Sequence, residues 1–173
     1  MKLKQIQRLV TAALMAALVF VATLLIQIPI PATGGYVNFG DGFVILCGVL
    51  LGPLYGGLAA GIGAMLTDLI TGYAVYIPAT FLIKACMAVI AYLLVRRVGK
   101  RWFAYLLASV CAEALMVLGY FAFEALALGF GKAAIASLMP NLAQGAAGIL
   151  IACILLTAIT KNQRLADFFF KGE

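Results

Sequence analysis

The sequence predicts an all-α integral membrane protein: one membrane domain over residues 1–173, built as a six-helix transmembrane bundle with both termini in the cytoplasm. Three observations carry that expectation. Of the 173 residues, 66% are hydrophobic and only 10% charged, whereas a soluble domain runs nearer half apolar and a quarter charged. The apolar residues fall in runs comparable to the ~20 residues that cross a hydrocarbon core of about 30 Å. The cations then sort almost entirely to one side of those runs.

Taken in order, the first span covers residues 9–28. Lys2, Lys4 and Arg8 precede it as they would a signal peptide, but an apolar stretch of about 20 residues exceeds an h-region of roughly 7–15. A polar loop follows, Pro29-Ile-Pro-Ala-Thr-Gly-Gly-Tyr-Val-Asn-Phe-Gly-Asp41. Two short spans, 41–54 and 55–72, are joined by the uncharged turn Gly52-Pro53-Leu54-Tyr55-Gly56-Gly57, where glycine and proline punctuate the chain. The remaining spans are 78–95, 102–126 and 133–160, the last with Pro140 near its start, a position that kinks a helix or delays its beginning. With the N-terminus inside, Lys2, Lys4, Arg8, Arg96, Arg97, Lys100, Arg101, Lys161, Arg164 and Lys171 face the cytoplasm, only Lys132 lies outside, and Lys84 falls within a span. That asymmetry obeys the positive-inside rule. It also explains the net charge of +6 without nucleic acid and fits a multi-pass membrane protein.

Small residues mark close helix contacts. Gly48, Gly52 and Gly56 are spaced by four, as are Gly57 and Gly61, and Ala59 and Gly63. In the first span Ala12, Ala13, Ala16 and Ala17 form two overlapping Ala-xxx-Ala rows near the cytoplasmic end, where a partner could dock as readily as a neighbouring helix. Cys47, Cys86, Cys111 and Cys153 all lie in apolar segments without a CxxC pair and read as packing residues.

Several chemistries are excluded. The chain has no histidine, which removes the commonest metal ligand and general base together. It has no GxxxxGK[ST] loop and so no means of hydrolysing ATP itself, and no serine in a GxSxG context. No enzyme, metal site or cofactor is expected.

What stands out is the set of polar groups kept inside apolar spans, each costing about 2.5–3.5 kcal/mol near a bilayer centre if charged. Lys84 shares a helix face with Thr80 and Met87; Glu113 starts a stripe continued by Met116, Tyr120 and Glu124; Asn141 and Gln144 share a face; Asp68 lies near the outer end of its span. Capped by a loop bearing Tyr36, Asn38 and Asp41, they suggest a pocket for a small polar aromatic molecule. The candidate binding residues are Tyr36, Asn38, Lys84, Glu113, Tyr120, Asn141 and Gln144. Lys84 would bond a ring or hydroxyl acceptor, the tyrosines would stack on the ring, and Asn141 or Gln144 would read ring nitrogens. Two plainer roles compete: a structural ion pair between Lys84 and a carboxylate, and Asp41 as a cap of the second helix.

These features together resemble the substrate-binding subunits, or S components, of energy-coupling factor (ECF) vitamin transporters. The resemblance rests on size, the six spans, the alanine-rich first span, and the ordered stretches Gly34-Gly-Tyr-Val-Asn-Phe-Gly-Asp41, Gly52-Pro-Leu-Tyr-Gly-Gly57, Asp68-Leu-Ile-Thr-Gly-Tyr73 and Pro78-Ala-Thr-Phe-Leu-Ile-Lys84. The set is most similar to the hydroxymethylpyrimidine or pyridoxine branch and more distantly to the riboflavin branch. The tryptophan-rich outer half expected of thiamine subunits is missing, Trp102 lying at the inner end. The resemblance implies a vitamin bound under the first loop and docking through the Ala12–Ala17 face to a transmembrane coupling protein (T component) that carries two ATPases. It also implies inward delivery by toppling of the whole subunit. Two other classes fit the same polar pattern: an assembly subunit of a membrane complex, and a stand-alone transporter coupled to protons through Asp68 or Glu113.

Overall fold

A computed structural model of the chain describes residues 3–170; Lys2 and Lys171, counted above toward the cytoplasmic side, lie outside the described residues. Helix α1 (Leu3–Leu25) is followed by an antiparallel hairpin, β1 (Gln27–Ile30) and β2 (Gly35–Asn38), then by α2 (Asp41–Thr71). A 3-10 turn (Ala74–Tyr76) leads into α3 (Ile77–Val98), which has a proline in its first turn, where a missing N–H is no loss. Helix α4 (Trp102–Ala122) widens into a π-turn (Phe123–Ala127); a 3-10 stretch (Gly131–Ser137), α5 (Leu138–Lys161) and a short α6 (Gln163–Phe170) complete the order.

Among the described residues, five helical segments are long and apolar enough to cross a membrane, and one of them is the 31-residue α2. It is folded in two at Gly52, whose φ of 80° and ψ of −179° lie in a region only glycine occupies readily. A Cβ on Gly56 would sit 2.3 Å from the carbonyl oxygen of Cys47, although nine residues of straight helix would separate the two by about 13 Å. The two short spans expected from the sequence are therefore the arms 41–51 and 53–71, broken at Gly52, the first residue of the expected turn. The first arm rises only about 17 Å, roughly half a hydrocarbon core, so Asp41 begins deep in the bundle rather than at its rim.

The polar loop expected from Pro29 contains two strands that the sequence did not announce, a hairpin registered Gln27↔Asn38 through Ile30↔Gly35. Pro29 and the extended run around it draw the chain out of α1 at Leu25, three residues before the expected end of the span. The hairpin tip is closed by N–H groups of Thr33 (3.2 Å) and Gly34 (3.0 Å) donating to the Ile30 carbonyl. The last span starts late, at Leu138, just ahead of Pro140.

The interior is made of small residues that let backbones touch. A Cβ on Gly48 would lie 1.9 Å from the Ala88 carbonyl oxygen of α3, and one on Gly63 would lie 2.4 Å from that of Ala16 in α1. The glycine rows thus serve internal packing. Outside, large apolar side chains face away from the bundle: Leu14, Leu118, Leu126, Met139 and Leu150 are all exposed, an apolar belt suited to lipid. The start of α1, the Gly52 break, the end of α3 and α6 lie at one end of the bundle; the hairpin and the 3-10 turns lie at the other.

Candidate binding site beneath the hairpin

Half-length α2, the hairpin and α5 converge so that polar groups from distant stretches meet. Lys84 lies seven residues into α3, about 10 Å along its axis, and its ammonium pairs with Asp41 Oδ1 in the first turn of α2; both side chains are essentially buried. Gln144 Nε2 donates to Asp41 Oδ2 (2.6 Å), and Gln144 Oε1 accepts the Asn38 N–H (2.7 Å). Asn38 Oδ1 in turn accepts the Gly40 N–H (2.9 Å). One chain of bonds therefore ties α3, α2, α5 and β2, and it specifies how the hairpin enters α2. Asp41 makes no capping bond; Gly40 holds the cap position, without any side-chain bond. The carboxylate is held by Lys84 and Gln144, which is the ion-pair alternative raised for Lys84.

Above this layer sits a cavity of about 20 Å³, room for about one water. Its lining includes Tyr36, Asn38, Tyr120, Asn141 and Gln144 from the expected set. Lys84 and Glu113 do not line it. Lys84 lies behind Tyr120, its Nζ 5.4 Å from the ring centroid. Glu113 is buried on α4 against Gly145 and Gly148 of α5, its two oxygens without a hydrogen-bond partner. A Cβ on Gly148 would lie 2.1 Å from Glu113 Oε1 and 3.0 Å from Asp41 Cβ, so α5 exposes bare backbone where two carboxylate side chains need the space.

The structure adds cavity residues that the sequence reading left outside its set: Asp68, Tyr76, Thr80 and Glu124. Asp68 Oδ1 accepts the Tyr36 hydroxyl (2.5 Å), while Asp68 Oδ2 is buried without a partner. Tyr36 stacks at a tilt on Tyr73, centroids 4.5 Å apart. Burial first, and then the Asp68 carboxylate, push the Tyr36 hydroxyl well above the ordinary tyrosine range, so it stays a donor. Tyr76 shares its hydroxyl proton between the Thr33 carbonyl (2.9 Å) and Glu124 Oε1 (3.1 Å), and Ser137 donates to Glu124 Oε2. Tyr120 donates to Thr80 Oγ1 (3.1 Å). Two carboxylates thus hold the hairpin through tyrosine hydroxyls, one directly through Tyr36 and one through Tyr76. Glu124 was legible as the end of the Glu113–Tyr120 stripe; Tyr76, in a turn without periodicity, carried no signal.

At the opposite end, the two alanine rows of α1 separate. Ala12 is buried and Ala16 packs on Gly63, while Ala13 and Ala17 are exposed beside Leu14 and Leu18.

A membrane helical bundle with a polar cavity closed by a hairpin, and with no metal-binding cluster among the described residues, defines a solute-binding membrane protein. A family model described as the S component of an ECF-type riboflavin transporter matches residues 3–161, and the chain belongs to this family of ECF transporter S components. It is 40% identical over 141 residues to an uncharacterized protein of Pyrococcus woesei, covering 77% of this chain and 88% of the relative. It is 30% identical over 166 residues to the thiamine precursor transporter HmpT of Lactococcus lactis subsp. cremoris (strain MG1363), covering 95% of each. A solved structure described as the S component of a bacterial ECF transporter superposes with a TM-score of 0.64 at 25% identity, over 96% of this chain and 99% of that one. The family consists of substrate-binding transport subunits, not enzymes, that work with a T component and ATPases.

Proposed function

We propose that this S component captures a small hydroxymethylated pyrimidine or pyridine, hydroxymethylpyrimidine or pyridoxine, from outside the cell, with riboflavin the next candidate. The observation that carries this reading is the lining of the cavity. Asp68 Oδ2 is a buried acceptor with no partner, Glu124 is a second carboxylate, and no lysine or arginine is among the lining residues. Such a lining accepts amino and hydroxyl donors and disfavours a phosphate, whose charge would meet two carboxylates unopposed. Asn141 offers both a donor and an acceptor to ring nitrogens, and Tyr36, Tyr76 and Tyr120 offer flat apolar faces. A single small ring also demands less opening of a 20 Å³ cavity than a three-ring flavin does. The likeness to a thiamine precursor transporter supports the same choice. Lys84 then acts from beneath, holding the Asp41 carboxylate that Gln144 also bonds, rather than touching the ring, and Glu113 lies beside that layer outside the cavity lining.

In this reading the hairpin faces outward and both termini face the cytoplasm of a cell bearing the protein in its plasma membrane. The T component docks on the exposed Ala13 and Ala17 row, with Ala12 and Ala16 setting the position of α1 behind it. Two ATPase subunits hydrolyse the ATP, and the chain itself carries no cofactor.

Native mass spectrometry of the detergent-purified chain, offered hydroxymethylpyrimidine, its monophosphate, pyridoxine, riboflavin and thiamine together, tests the proposal. Retention of an unphosphorylated pyrimidine or pyridine is expected, with affinity falling about tenfold or more in Asp68→Asn, the scale of a lost hydrogen bond to a charged group. Retention of riboflavin alone, or of the monophosphate, would overturn the substrate assignment.

A further inference from the structure

A cavity larger than the one beneath the hairpin lies elsewhere among the described residues. A groove of about 600 Å³ opens at the opposite end, between the start of α1, the Gly52 break, the end of α3 and α6. We propose that it binds an anionic phospholipid, with the headgroup phosphate on Arg8 and Arg96 and an acyl chain along its floor. This inference rests on the membrane placement of the family and not on which vitamin is carried.

The groove's chemistry is divided in the way such a ligand is. Arg8 of α1 and Arg96 of α3 both line it, and none of the lining residues is acidic. Arg96 Nη1 donates to the Tyr92 hydroxyl (2.8 Å), and its guanidinium lies 5.7 Å from that ring's centroid. The bond fixes the guanidinium at the edge of the groove while committing one of its five donors. A planar guanidinium matches phosphate oxygens in a way an ammonium does not. The rest of the lining is mixed: Gln7 and Thr11 of α1 add polar groups, and the break in α2 supplies an apolar floor of Leu50, Leu51, Pro53 and Leu54, with Pro53 and Leu54 exposed. Free phosphate would use the rim and leave this floor wet, whereas a lipid covers both.

Helix α6 supports the same occupant. It alternates Gln163, Arg164 and Asp167 with Leu165, Phe168 and Phe169, and Phe168 is 60% exposed although it borders the groove. An amphipathic helix of this kind lies along a membrane surface. Lys100 Nζ sits 3.8 Å from the ring centroid of Phe170 and ties α6 to the α3–α4 connection. The groove therefore opens where headgroups lie, at the cation-rich end of the chain, and basic pockets between helices at that level suit anionic headgroups.

The test uses the full chain in mixed micelles with equal amounts of phosphatidylglycerol and phosphatidylcholine of matched acyl chains, read by native mass spectrometry. Phosphatidylglycerol is expected to be retained in preference, and the preference should fall roughly fivefold in each of Arg8→Gln and Arg96→Gln, the scale of one arginine near an anionic surface. The melting temperature of each variant in phosphatidylcholine alone should equal that of the parent, which separates lost binding from lost folding. Equal retention of the two lipids by the parent would overturn the proposal. So would an undiminished preference in the double variant. Loss of coupled uptake by the double variant with its lipid preference intact would assign the groove to a protein partner and overturn it equally.

Discussion

At the scale of single residues, the buried Lys84–Asp41 pair decides more than any group that touches the cavity. Burying two charges gains little over an apolar pair, but removing one partner leaves the other uncompensated, at a cost of about 3–5 kcal/mol. Lys84→Met is expected to lower stability by that amount in a detergent melt, and Asp41→Asn on the same background should recover part of it. Asn141→Ala, which removes a cavity amide outside that network, should instead weaken substrate binding with little change in the melt. If the two variants exchanged these effects, Lys84 would be the ligand contact and Asn141 the structural group. Gly148 is governed by the same carboxylates. Alanine there would drive its Cβ onto Glu113 Oε1, an overpacking worth about 1–3 kcal/mol. In a double-mutant cycle Glu113→Ala should relieve most of it, and an additive result would place the strain elsewhere.

At the scale of elements, the proposed ligand predicts a moving hairpin. A cavity of about 20 Å³ must widen to take the proposed ring, and lifting β1 and β2 away from α2, α3 and α5 is the predicted route. What resists lifting is mainly the Tyr36–Asp68 bond and the Tyr76 bond to Thr33 at the hairpin tip. Tyr36→Phe removes a bond to a carboxylate, worth about 1.5–3 kcal/mol, and should shift the hairpin toward the open state. Amide hydrogen exchange over residues 27–38 is the measurement. Faster exchange there with unchanged protection in α3 and α4 is expected, and unchanged exchange in the hairpin would show that the bond does not hold it. This element also marks where the sequence stopped being informative. Helix spans were legible because apolar runs of membrane length have few other readings, and Gly52-Pro53 announced a turn. Two four-residue strands have no periodicity to detect, and the end of β2 is held at Asn38 by Gln144, 106 residues away. The same holds for the site: Tyr120, Asn141 and Gln144 stood out as polar groups in apolar spans, and Tyr36 and Asn38 as side chains of the loop above them, but nothing in the local sequence says that Asp41 would claim Lys84 and leave Asp68 for the cavity.

At the scale of the whole molecule, the bundle carries two α1 faces that the sequence alone could not tell apart, and separating them tests how the chain works with its partners. The Ala12–Ala16 row faces inward, since Ala16 meets Gly63 through its carbonyl and Ala12 is buried. The Ala13–Ala17 row is exposed. A bulky residue on the inner row must open the contact between α1 and the second arm of α2, with the cost of an overpacked core, about 1–3 kcal/mol. The same residue on the outer row meets no neighbour within the chain and should leave its fold intact. Ala16→Trp is therefore expected to lower the melting temperature of the isolated protein, whereas Ala13→Trp and Ala17→Trp should melt and bind substrate as the parent does. In cells expressing the T component and both ATPases, the outer-row variants should lose co-purification of those subunits and ATP-dependent uptake together. Normal uptake by Ala13→Trp and Ala17→Trp would move the docking face off α1. Uptake by the isolated chain in vesicles without ATP would remove the need for partners altogether and restore a proton-coupled carrier through Asp68 or Glu113. A subunit that worked as proposed, binding at one end and docking along an exposed small-residue row, would need no energy-converting site of its own, and these three alanine positions test its fold apart from its coupling.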